Sequence, residues 1–227
     1  MKHNGFRKGF VWFFFMVSCI PLLGQERDSL TLPREVRLNK RQPPDLVLKT
    51  IGIKPGMIIG EVGAGRGRYT VQIASRIGPS GRIYANDINQ EALQYLDRRC
   101  SGLGFTNVKT ILSSVTDPKL PPAALDMVIM VNVVHCLAKP VELLRNISGS
   151  LKQDGLIVIV EGNLDKAPET AGEWYARSKL LKIYKDAGYD LVREETFLPQ
   201  DNIYFLKKGL KKIGACPHFN SYFKRMG

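Results

Sequence analysis

Short apolar runs closed by turn residues alternate, through the middle of this chain, with stretches whose apolar positions recur every three or four residues. The first run, Met57-Ile58-Ile59-Gly60-Glu61-Val62, lies between Lys54-Pro55-Gly56 and a glycine-rich segment and predicts a buried strand. Residues 69–77 carry a helical period that stops at Gly78-Pro79-Ser80-Gly81, and residues 82–86 form a second strand ending at Asp87. A helix over 89–100, a third strand over 107–112 and a fourth over 125–131 follow; the fourth is rich in apolar residues, as the centre of a parallel sheet should be. A helix over 141–151 closes at Lys152-Gln153-Asp154-Gly155, before a fifth strand over 156–160. A longer helix over 173–187 ends at Gly188, and two late strands occupy 191–197 and 202–207.

Strand and helix alternation followed by two consecutive strands predicts an α/β fold: a doubly wound, mostly parallel seven-stranded sheet with a C-terminal antiparallel hairpin. Upstream, Gln42-Pro43-Pro44 interrupts any helix, and Asp45 is placed to cap a short one over 46–51 that Gly52 ends. The expected organisation is a leader over 1–24, a mixed polar extension over 25–44, a catalytic domain over 45–208 and a basic tail over 209–227.

The 227 residues suit one medium domain with additions at its ends, and the net charge of +12 is unevenly spread. Residues 1–49 carry +5, residues 50–206 only +1, and the tail from Lys207 carries +6. A nearly neutral core with no added RNA-binding module argues against specific nucleic-acid recognition, whereas basic ends suit an anionic membrane surface. In the leader, Lys2, Arg7 and Lys8 precede an apolar run over 10–23. Its fourteen residues would make a helix of about 21 Å, short of the roughly 30 Å hydrocarbon core, which favours an export signal over a membrane span. A short anchor and a lipoprotein signal at Met16-Val17-Ser18-Cys19 are the alternatives. Export to the periplasm or attachment to a membrane follows from the first and last readings, and a cytoplasmic face from an uncleaved anchor. Cys100, Cys136 and Cys216 match neither a disulfide framework nor a zinc site, and the first two read as packing residues.

The most informative segment is Glu61-Val62-Gly63-Ala64-Gly65-Arg66-Gly67, which follows a predicted strand and opens a helix. Its Gly-x-Gly-x-Gly spacing differs from the Gly-x-Gly-x-x-Gly of a dinucleotide site, so it suits a ligand without phosphate and counts against a nicotinamide dehydrogenase. Asp87, twenty residues after Gly67 at the end of the second strand, supplies a carboxylate able to accept from both ribose hydroxyls.

Together these segments resemble the class I S-adenosylmethionine-dependent methyltransferases, in particular their small-molecule branch. The resemblance spans residues 45–208 and rests on KPGMIIGEVGAGRGRYT, GRIYANDINQEAL, LPPAALDMVIMVNVVHCL and SLKQDGLIVIVEG. It implies S-adenosyl-L-methionine as cofactor, with Glu61, Gly63 and Gly65 at its methionine end, Asp87 on the ribose and Ile88 on the adenine face. Ser114 or Asp117 would meet the adenine amino group, although Ser113-Ser114-Val115-Thr116-Asp117 departs from the family's usual Gly-Asp-Ala, and Asn132 would approach from the fourth strand.

Methyl transfer needs an aligned acceptor and, where the acceptor carries a proton, a base. His135, just past the fourth strand, is the candidate, with a substrate-orienting or purely structural role as alternatives. Tyr69, Trp174 and Tyr175 are candidates for the acceptor pocket or for core packing, and Glu161 is either a site acid or a solvated loop end. No metal is expected. The absence of Asn-Pro-Pro-Tyr after the fourth strand disfavours a DNA amino-methylating enzyme, leaving a small, lipid or quinone-like acceptor. A non-catalytic, exported or membrane-associated module that binds a nucleoside or a protein is the competing reading.

Overall fold

The structure is a computed structural model and describes residues 30–209. The predicted leader and nearly all of the basic tail lie outside the described residues. Among those described, no helix is long and apolar enough to cross a membrane.

Seven strands form one sheet: β1 (Ile58–Val62), β2 (Arg82–Asp87), β3 (Val108–Leu112), β4 (Leu125–Val131), β5 (Leu151–Gly162), β6 (Tyr189–Glu195) and β7 (Asp201–Lys208). Their order is β3-β2-β1-β4-β5-β7-β6. The first five strands run parallel, and β7 inserts antiparallel between β5 and β6. The strand order reverses between β1 and β4, so the connections leaving their C-terminal ends run in opposite directions, the usual place for a ligand crevice in such sheets.

Both faces of the sheet are covered, which is why its central strands carry continuous apolar runs, such as residues 127–131 and 156–160, rather than alternating ones. On one face Ile59, Ile83, Met127, Ile129, Val158 and Val160 meet α2 (Pro44–Thr50) and α3 (Thr70–Ile77) through Val47, Leu48, Ile73 and Ile77. Beside them α4 (Gln90–Gly102) buries Leu93, Leu96 and Cys100. On the other face Val128, Met130, Ile157 and Ile159 meet α5 (Pro140–Ile147) and α6 (Arg177–Asp186) through Leu143, Leu144, Ile147, Leu180 and Tyr184.

Four local expectations are corrected. The helix expected over 141–151 stops at Ile147, because the carbonyl of Ser150 turns to accept from both Ala124 and Leu125 at 3.0 Å. Strand β5 therefore starts at Leu151, and the polar Lys152-Gln153-Asp154 segment is looped out of a strand whose register on β4 jumps from Leu125↔Leu151 to Met127↔Leu156. The helix expected from 173 begins at Arg177. The preceding turn is held by Trp174, whose indole covers Gly162 so closely that an added Cβ there would lie 2.3 Å from the ring. Finally, Pro43 rather than Asp45 occupies the cap of α2, and the Asp45 carboxylate pairs with Arg76 at 2.6 Å.

The segment read as a mixed polar extension is folded from Leu30 onward, where its described residues begin. Pro33–Glu35 forms a 3-10 turn that leads into α1 (Val36–Arg41). Leu30 packs on Leu93 and Leu96, and Glu35 pairs with Arg99 at 2.8 Å with both side chains nearly inaccessible. Burying such a pair is tolerable only because the geometry is bidentate and Arg99 also donates to the carbonyls of Leu30 and Arg66. Glu35→Gln keeps the shape and removes the charge, so urea unfolding should show a loss of about 1–2 kcal/mol. An unchanged midpoint would mean that the charge of Glu35 contributes nothing to the fold.

Candidate active site

The chain leaves β1 through the glycine-rich loop, which is pinned to β2 by two amides, Gly63 and Ala64, donating to the carbonyl of Asn86 at 3.0 and 2.9 Å. Gly63 adopts φ +75°, and a Cβ there would lie 2.5 Å from Val133 Cγ2. Both constraints demand glycine, so the loop can pass against β4 only with a bare backbone. Gly63→Ala is expected to cost about 1–3 kcal/mol and to push Val133 into the crevice, which thermal melts with and without cofactor will detect.

Asp87, at the last position of β2, accepts from Gly65 N through one oxygen and from Asn89 N through the other, both at 2.8 Å. Asn89 in turn caps α4 by accepting from Ala92 N. Each carboxylate oxygen retains a further acceptor position. Beside it Ile88 is 64% exposed, an unusual state for an isoleucine at the end of a buried strand. Asp87 and Ile88, with Gly63, Ser113, Ser114, Val115, Asn132, Val133, Cys136 and Leu137, line a cavity of about 320 Å³. A carboxylate, a bare glycine backbone and an apolar wall in one crevice fit the sugar and base of a nucleoside.

Asp117 does not reach this cavity. Its side chain accepts from Lys119 N at 2.9 Å, and its main chain closes a turn with Ser114, which leaves Ser113, Ser114 and Val115 as the wall. Cys136, expected to pack internally, is exposed and lines the cavity, whereas Cys100 is buried. Glu61 is buried beneath the loop, accepts from the Thr70 hydroxyl at 2.6 Å, and has its carboxyl pushed up to about 7 by burial.

His135 sits in the single 3-10 turn Val134–Cys136 that follows β4. Its ring is turned away from the nucleoside cavity, with Nδ1 2.7 Å from Glu161 Oε1. Glu161 is inaccessible to solvent, not the solvated loop end that was the alternative, and also accepts from Val134 N at 2.7 Å and Gly162 N at 3.1 Å. The two amides fix the carboxylate, and the carboxylate fixes the imidazole with Nδ1 as donor, which makes Nε2 the lone-pair nitrogen of the neutral ring. The hydrogen bond to Glu161 raises the His135 pKa, outweighing the opposing effect of partial burial.

A polar network closes the same end of the sheet. Gln42, wholly buried, exchanges two hydrogen bonds with Asn132 at 3.0 and 3.1 Å and donates to Asp201 at 2.8 Å. Arg41 pairs with Asp201 at 3.1 Å and lies 4.8 Å from the Trp174 ring centre. Asn132 is held at φ +55° by these contacts. Tyr69 is buried, donating to the Gln42 carbonyl at 3.2 Å, so it is a core residue; Trp174 and Tyr175 are half-buried and outside the nucleoside cavity.

A family model described as a methyltransferase domain matches residues 53–213. The chain belongs to the S-adenosylmethionine-dependent methyltransferase family. The methyltransferase domain superposes on the solved S-adenosylmethionine-dependent methyltransferase of Aquifex aeolicus with a TM-score of 0.69 and 26% identity, over 79% of this chain and 95% of that one. It is 25% identical over 171 residues to a ubiquinone/menaquinone biosynthesis C-methyltransferase of Hydrogenovibrio crunogenus, covering 72% of this chain and 67% of that protein. It is also 32% identical over 81 residues to a probable cobalt-precorrin-6B C(15)-methyltransferase of Thermoplasma acidophilum. The chain spans 40% of the length of that last relative. S-adenosyl-L-methionine is the cofactor of the family, and the crevice around Asp87 and Ile88 fits its adenosine.

Of the residues singled out in the sequence, the structure brings Gly63, Asp87, Ile88, Ser114 and Asn132 to one cavity, sets Gly65 and Glu61 in and under the loop beside it, and leaves Asp117 and His135 off its wall. The network residues Arg41, Gln42 and Asp201 were not found from sequence. Gln42 stood next to two prolines and read only as part of a break, and Asp201 opens β7 with no motif around it.

Proposed function

We propose that the protein transfers a methyl group from S-adenosylmethionine directly to a small, hydrophobic acceptor whose reacting atom carries a proton. The observation that carries this reading is the His135–Glu161 pair: a buried, doubly anchored carboxylate holding an imidazole just past β4, next to the cavity-wall residue Cys136 and two residues from Val133. The bound cofactor supplies a methyl activated on a sulfonium sulfur. Asp87 and Gly65 hold the nucleoside end, and His135 Nε2 takes the acceptor's proton while Glu161 keeps the ring in the receiving tautomer. A small organic acceptor is supported by the relatives, whose names place them in ubiquinone/menaquinone biosynthesis and in nocamycin O-methylation. The apolar leader and basic ends support an acceptor met at a membrane. Calorimetric titration of the full chain with S-adenosylmethionine tests the reading: saturable binding is expected, and a folded sample that takes up no cofactor overturns it.

A further inference from the structure

Arg68, next to the last glycine of the loop, is a half-buried cation without a carboxylate partner among the described residues. Its Nη1 donates to Asn39 Oδ1 at 3.2 Å and its Nη2 to Gln42 Oε1 at 2.6 Å, both neutral amide oxygens, and its guanidinium lies 4.6 Å from the Tyr69 ring centre. Every other half-buried arginine pairs with an acid: Arg41 with Asp201, Arg76 with Asp45, Arg99 with Glu35 and Arg177 with Glu194. Glu61 is a buried carboxyl nearby that accepts from a hydroxyl and makes no salt bridge among the described residues. The two feel each other electrostatically without forming a contact pair. Burying a guanidinium against neutral amides alone is costly unless a ligand supplies the anion. The bridge to the cofactor cavity is short, since Asn132, on the cavity wall, donates to the same Gln42 oxygen that receives Arg68.

We infer that Arg68, seated by Asn39 and Gln42 of the N-terminal segment, is the counter-ion for the carboxylate of the cofactor's methionine moiety. Glu61 then faces the ammonium end, the position that the family resemblance implies for it. The site reads an α-amino acid zwitterion, and the N-terminal segment becomes part of the cofactor site because Asn39 on α1 and Gln42 just after it supply the two amides that aim the guanidinium. The inference rests on the methyltransferase reading above.

Titration of the full chain with S-adenosylmethionine and with its decarboxylated form, which differs only in the carboxylate, separates the two ideas. Wild type should prefer the carboxylated ligand by about tenfold or more, as a charge-assisted pair requires. Arg68→Gln should weaken S-adenosylmethionine by about tenfold and the decarboxylated ligand by less than about twofold, with Arg68→Lys in between. Equal wild-type affinities, or an equal loss for both ligands in Arg68→Gln, overturns the subsite while leaving the cofactor reading intact. Binding of neither ligand by folded wild type overturns both. If Arg68→Gln fails to fold, the wild-type preference alone decides.

Discussion

Asp87→Ala should weaken S-adenosylhomocysteine binding by about 100-fold or more, in a titration where the fold is monitored by far-ultraviolet circular dichroism. Two hydroxyl donors meeting one carboxylate are charge-assisted hydrogen bonds, each contributing about 1.5–3 kcal/mol, so losing both costs a factor of at least about 100. The substitution acts twice, because the same oxygens receive the amides of Gly65 and Asn89 and so hold the glycine loop against the start of α4. Asp87→Asn separates the two contributions: it retains one acceptor for the loop and loses the charge, and should fall between alanine and wild type. If the alanine variant bound the nucleoside as tightly as wild type, the crevice beside Ile88 would not be the cofactor site.

The strand that carries Asp87 was legible because its signals are local. An apolar run, a bounding turn and a terminal acid lie within a few residues of each other, and nothing distant is needed to interpret them. The ends of α5 and α6 were not legible in the same way. Where α5 stops depends on the carbonyl of Ser150 finding amides at Ala124 and Leu125, and where α6 starts depends on Trp174 covering Gly162. Both are contacts between elements, and helical periodicity carries no record of them.

The site divides along the same line. Gly63 and Asp87 are motif residues, whereas Gln42 matters only because the fold carries it to Asn132 and Asp201, 90 and 159 residues away in sequence. The dyad lies between these cases. His135 stood out by residue type at the end of a predicted strand, but its partner Glu161 is 26 residues further on and becomes its partner only because β4 and β5 are adjacent and in register through Val131↔Val160. Neighbouring strands of a parallel sheet deliver their C-terminal residues to one edge, so an acid one position beyond that register is where a histidine past β4 can be held.

His135→Ala is accordingly expected to lower kcat by about 100- to 10 000-fold on any acceptor that wild type methylates, while S-adenosylhomocysteine affinity changes by less than about twofold. The imidazole is outside the nucleoside cavity, so its removal should be silent in cofactor binding and severe in turnover. The pH dependence gives an independent check. On the proposed mechanism the neutral imidazole is the active base, and Glu161 raises its pKa above the ordinary 6.5, so kcat/KM should climb with pH and level off only above that value. Glu161→Gln removes the anion that stabilises the imidazolium. The titration midpoint of His135, followed by its ring proton resonances, should then fall toward or below the ordinary value, and kcat should drop even where the ring is fully neutral because the tautomer is no longer held. That second effect separates positioning from simple charge tuning: a Glu161→Gln enzyme that regained full activity at high pH would reduce the glutamate to a pKa modifier. An unchanged kcat in His135→Ala would remove the base from the mechanism altogether and point to an acceptor whose nucleophilic atom carries no proton to lose.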